Sequence, residues 1–73
     1  MTFNELLPVL YGNDSVNIHD GTGEIADCGD MTTSNPVEFC YEQLKEQAKI
    51  IGEREVVKVR NATVFMGLDI TIK

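Results

Sequence analysis

His19 is the only histidine in the chain and stands directly before Asp20, so it is the first residue to weigh as a general base. Such a base works when a carboxylate orients the imidazole against a nucleophile. Cys28, Cys40 or a serine would have to fold against it, and no nucleophile elbow or comparable motif supplies that geometry. The same three side chains, His19, Cys28 and Cys40, also offer three zinc ligands, but spacings of nine and twelve residues match neither a knuckle nor a finger. The expectation is therefore a non-enzyme with no catalytic residue, no metal and no cofactor. In that reading His19 is an exposed strand residue, Cys40 a small core residue and Cys28 a thiol at a strand end.

Asp20-Gly21-Thr22-Gly23-Glu24, followed by Asp27 and Asp30, gathers several hard oxygen ligands. It lacks the alternating ligand order and terminal bidentate glutamate of a calcium loop. Gly21 and Gly23 are too few to cradle a phosphate, and the flanking carboxylates would repel one. A hairpin turn accounts for these glycines without a ligand.

Charge carries more information. The 73 residues hold 12 acidic and 6 basic side chains, a formal net charge of −6. Residues 1 to 44 contain eight carboxylates and no lysine or arginine, a charge of −8, whereas residues 45 to 73 sum to +2. Ordinary solubilising surfaces mix both signs, so a one-sided stretch of this length points to a field that attracts a basic protein surface and repels polyanions. The carboxylates expected to meet such a partner are Asp20, Glu24, Asp27, Asp30, Glu38 and Glu42. Direct binding of nucleic acid is disfavoured by the same field.

Two cysteines and the lack of a charged leader disfavour the secreted, disulfide-stapled class and point to the cytoplasm. Apolar runs are only a few residues long, against roughly 20 needed to span a bilayer, so no membrane contact is expected. A chain of this length supports one core, hence a single domain over residues 1–73.

These residues need elements to hold them. Thr2-Phe3-Asn4-Glu5 reads as a capping box opening a short helix, with Phe3, Leu6, Leu7 and Leu10 on one face and Pro8 limiting its regularity. Ser15 to His19 alternates polar and apolar residues, a strand with one wet face, and Glu24 to Cys28 returns as its hairpin partner. Asn35-Pro36 caps and starts a second helix whose stripe is Val37, Cys40, Tyr41, Leu44, Ala48 and Ile51, with Gly52 as its stop. Glu55 to Arg60 and Thr63 to Ile72 then form a second hairpin, in which Val64, Met66, Leu68, Ile70 and Ile72 share a face. The order helix, hairpin, helix, hairpin predicts an α+β fold with two helices on a four-stranded, mainly antiparallel sheet. Phe39 and Phe65 lie off the apolar faces, and with the last strand as an edge they suggest a homodimer seam through that strand or an anchor for a partner.

The opening Met1-Thr2-Phe3-Asn4-Glu5-Leu6-Leu7, followed by Asn13-Asp14-Ser15-Val16-Asn17-Ile18, resembles small acidic proteins of phages and mobile elements, including anti-CRISPR inhibitors. The resemblance implies an inhibitor in the host cytoplasm that occupies the nucleic-acid-binding cleft of a defence nuclease, its carboxylates standing where phosphates would lie. The leading expectation is thus a counter-defence or regulatory inhibitor that binds a host protein. The alternatives are an oligomeric binder that sequesters a nucleotide, with Lys58 and Arg60 on its phosphates, and a metal-assisted enzyme around His19.

Overall fold

The computed structural model describes residues 1–30, 32–61 and 67–73. The chain runs α1 (Phe3–Leu6), a single 3₁₀ turn (Leu7–Val9), β1 (Val16–Asp20), β2 (Gly23–Cys28), α2 (Pro36–Ile51), β3 (Val56–Asn61) and β4 (Leu68–Ile72). Helix α1 begins as its sequence dictates: the Thr2 hydroxyl accepts the Glu5 amide while the Glu5 carboxylate takes the Thr2 amide. Pro8 then tightens the chain into the 3₁₀ turn, because it supplies no amide for a longer α-helix. Asn35 caps α2 by accepting the Glu38 amide, and Pro36 occupies the first turn, where a missing donor costs nothing.

Gly52 closes α2 for a reason other than a left-handed turn. Its φ of −58° is ordinary helix geometry, and the space its absent side chain would need is filled by the Asn4 side chain and the Ala48 carbonyl. The Gly52 carbonyl also accepts the Asn4 amide at 2.9 Å. Glycine is required here so that α1 can dock on the end of α2.

The sheet order is β2-β1-β4-β3. Each hairpin is antiparallel, and the hairpins meet through a parallel pairing of β1 with β4. Two of the three pairings are antiparallel, as expected, and the parallel pair at the centre makes the sheet mixed. It also moves β4 from an edge to the interior. Helix α2 carries the chain from the β2 edge to the opposite edge, so β3 lands outermost and β4 returns beside β1. Side-chain chemistry favours this arrangement: Ile70 and Ile72 of β4 are fully buried, whereas β3 exposes Val57, Lys58, Val59, Arg60 and Asn61. The part of the last strand expected over residues 63–66, Phe65 included, lies outside the described residues.

One core joins the layers. Phe3, Leu6 and Leu10 from the first helical segment and Cys40, Leu44 and Ile51 from α2 pack against Val16, Ile18, Cys28, Ile70 and Ile72 of the sheet. Leu7, Tyr41, Ala48 and Val56 fill in around them. The amino-terminal residues are stitched to the strand that follows α2: the Phe3 amide donates to the Arg54 carbonyl at 3.0 Å, and the Val56 amide to the Met1 carbonyl at 2.7 Å. No described helix is long and apolar enough to cross a membrane.

Candidate functional site on the polar face of the sheet

Both helices cover one face of the sheet, and the opposite face is polar. Register defines its pattern. Asp27 stands opposite Asn17, Asn17 opposite Asp69, and Asp69 opposite Arg60. One step along, Glu24 stands opposite His19, His19 opposite Thr71, and Thr71 opposite Lys58. Directly paired residues share a face, so two rows cross the sheet, each running from a carboxylate on β2 to a cation on β3. An irregularity after Ile18 leaves Ile25 as the extra residue of β2 and brings Glu24 and Asp27, three apart in sequence, onto the same side.

Contacts on this face are local, within and between the rows. The Asn17 amide donates to Glu24 at 2.8 Å. Asp69 lies between two cationic or protonatable groups, with Arg60 Nε at 3.6 Å and His19 Nε2 at 3.8 Å. His19 Nε2 is buried and has no hydrogen-bond partner among the described residues. His19 is thus a half-buried member of a polar row rather than a freely exposed strand residue.

The sheet separates the chemistry that one sequence stretch had suggested. Cys28 and Cys40 belong to the core side, where the Cys40 thiol reaches the Cys28 carbonyl at 3.6 Å. His19 faces the other way, so these three side chains do not converge. Burial pushes the two thiols up, Cys28 to about 12 and Cys40 to about 11, and both are neutral and unreactive near pH 7. Among the described residues no group of three or more histidine, cysteine or acidic side chains is placed to hold a metal ion.

The six carboxylates expected at the partner surface fall into distinct environments. Glu24 and Asp27 lie on the exposed β2 edge of the polar face. Asp30 follows in the loop to α2 and accepts the Thr32 hydroxyl at 2.6 Å and amide at 2.9 Å, which hold its carboxyl below the usual range and keep it ionised. Glu38 accepts the Tyr11 hydroxyl, and Glu42 pairs with Lys45 at 2.7 Å. Each of these two glutamates is two positions from the buried Cys40, which directs it away from the core, on the far side of α2 from the polar rows. The carboxylates therefore divide between the two outer surfaces of the molecule.

Asp20 is different. Its side chain is only 14% exposed and faces Arg54 Nη2 at 3.1 Å, while Arg54 Nε donates to the Lys73 carbonyl at 2.9 Å. The Thr22 hydroxyl at 2.6 Å, the Thr22 amide at 2.7 Å and then the Arg54 guanidinium stabilise the charged form and hold Asp20 at about 2, down from 3.8. This carboxylate fastens the β1–β2 turn to the segment before β3. Because its folded value lies below its unfolded one, its contribution is present above about pH 4 and is lost as pH falls through 3.8 towards 2. Glu5, lowered by the Thr2 amide and hydroxyl, shifts in the same direction. Urea midpoints measured from about pH 5 down to about pH 2 should fall steeply, and Asp20→Asn should flatten that fall. An equal slope in the variant would show that Asp20 does not couple folding to protons.

Phe39 is 38% exposed on α2. An unexpected neighbour pair is Tyr11 and Tyr41, whose rings meet edge to face at 5.2 Å with the Lys45 ammonium 5.5 Å from the Tyr41 ring. Alternation in β1 and β4 already placed Asn17, His19, Asp69 and Thr71 on polar faces. Their meeting in rows depends on the parallel register, for which the sequence holds no signal. No family model, curated protein or solved structure matches the chain.

Proposed function

We propose that this protein is a non-enzymatic binding protein that engages a basic surface of a partner protein through Glu24, Asp27 and Asp30 at the β2 edge and the loop behind it. The observation that carries this reading is that none of the three lies within ion-pair distance of a cationic group among the described residues, whereas Asp20, Glu42, Glu46, Glu55 and Asp69 each do. Uncompensated carboxylates on one edge of a chain with net charge −6 steer a cationic surface towards that edge and repel nucleic acid. Asp20 supports the turn beneath them, and Glu38 extends the negative field onto α2, where Glu42 is paired with Lys45. The resemblance of the opening residues to phage counter-defence proteins favours a nucleic-acid-binding protein of a host cell as that partner.

Lys58 and Arg60 do not favour a phosphate site in the same way, since Arg60 is already neighboured by the Asp69 carboxylate. The decisive experiment is affinity capture from a host lysate with the wild-type chain and with Glu24→Lys, Asp27→Lys and Asp30→Lys combined. A protein retained by the wild type should be lost from the triple variant, whose circular dichroism should remain native because all three side chains are exposed. Retention of the same protein by both would remove the acidic edge from the binding site.

A further inference from the structure

The polar rows have a second consequence, which concerns copies of this chain. Among the described residues, β2 and most of β3 form sheet edges without a neighbouring strand. On β3 the amino-terminal segment pairs with the strand's start, through the Val56 amide and the Met1 carbonyl. From Val57 onward its outer side has no backbone partner among the described residues. β2 forms the opposite edge. An edge strand presents unpaired amides and carbonyls that template another strand, and the side chains decide which strand is acceptable.

Like charges directly opposite one another destabilise a strand pair. Joining β3 to β3 antiparallel about a two-fold axis would set Lys58 and Arg60 against the same two cations of the other copy. Joining β2 to β2 would oppose Glu24 and Asp27 to themselves. The combination of β3 with β2 is complementary in both rows. Lys58 and Glu24 occupy one row and Arg60 and Asp27 the other, so a copy placed beside β3 in the same orientation sets its Glu24 next to Lys58 and its Asp27 next to Arg60. Strand direction agrees: β2 is antiparallel to β1, β1 parallel to β4, and β4 antiparallel to β3, so β2 and β3 run the same way and would pair in parallel. Val57 and Val59, now 61% and 42% exposed on β3, would lose solvent contact in the joint.

We propose that the chain associates head to tail, the β3 edge of one copy pairing in parallel with the β2 edge of the next, through Lys58–Glu24 and Arg60–Asp27 contacts. A contact between two different surfaces does not close at two copies and generates rings or filaments. The association rests on the chain alone, so it stands or fails independently of a host partner.

Sedimentation velocity over a concentration series of the full chain tests it, using wild type, Lys58→Glu with Arg60→Glu, and Glu24→Lys with Asp27→Lys. Wild-type mass should rise with concentration beyond that of a dimer. Each reversed variant has two edges of one sign and should associate about tenfold more weakly or less, the loss of two charge pairs. An equimolar mixture of the two variants should assemble again, because every acidic edge then meets a basic one. Native circular dichroism is required of each variant, and the single exchanges Lys58→Glu and Glu24→Lys replace any double variant that fails to fold. Wild type that stays monomeric, a dimer that grows no further, or a mixture that does not assemble would each overturn the proposal.

Discussion

Phe3→Ala should leave the chain largely unfolded at room temperature. Among the described residues Phe3 is the largest side chain with no solvent exposure, and it sits where α1, α2 and the sheet share one core. Deleting a buried phenylalanine ring costs about 3–5 kcal/mol, from lost transfer energy and from the cavity that a small core cannot collapse around. A natural domain of this size has a total stability of about 5 kcal/mol. The backbone link from the Phe3 amide to the Arg54 carbonyl is kept by alanine, so the cost comes from the missing ring alone. A urea titration followed by circular dichroism should show a midpoint lowered by more than half with little native baseline. Phe39→Ala, at a side chain still partly in solvent, should shift it by less than about 1 kcal/mol. Comparable midpoints for the two alanine variants would show that Phe3 does not anchor the core.

Gly29→Ala is the second substitution expected to act strongly, through the backbone. Gly29 has φ of +126°, a conformation that side chains rarely adopt, and an added Cβ would collide with the Asp14 carbonyl oxygen and crowd the Ser15 Cα. Its own amide is engaged by Gln43 Oε1 at 2.6 Å, so the segment cannot swing aside without breaking the link from β2 to α2. Backbone strain and overpacking together should cost about 2–5 kcal/mol. For a domain of this length that lowers the melting temperature by at least about 10 °C. Gly21→Ala is the control, since Gly21 has an ordinary φ and open space around it. It should change the melting temperature by no more than a few degrees. If Gly29→Ala melted with Gly21→Ala, the close approach of the loop to Asp14 would not be a constraint on the fold.

The same surface offers two kinds of contact, and they overlap on β2. An acidic edge without internal counter-charges suits a basic partner, and a polar face that runs from carboxylate to cation suits repetition of the chain itself. Both use Glu24 and Asp27, so a partner seated on β2 would exclude the next copy. The Asp20–Arg54 link underlies both, because it fastens the turn that begins β2 to the segment that begins β3.

Local chemistry was legible in the sequence. The capping box at Thr2, the Asn35-Pro36 start of α2, the hairpin at Asp20 to Gly23 and the apolar stripes of both helices follow from interactions within a few residues of each other, and they predict the elements nearly to their ends. Element order and the α+β class came with them. What tertiary structure alone decided is which strands become neighbours. Two hairpins can pack side by side in several ways with similar local energies, and the choice of β4 over β3 for the centre comes from burying Ile70 and Ile72 beneath helices far away in sequence. In the closed fold Asp20 is partly covered against Arg54, the other predicted carboxylates are divided between two faces, and Glu24 and Asp27 share rows with Lys58 and Arg60. Charge along a chain is a one-dimensional quantity, but a binding surface is set by register, and register is fixed only when the core closes.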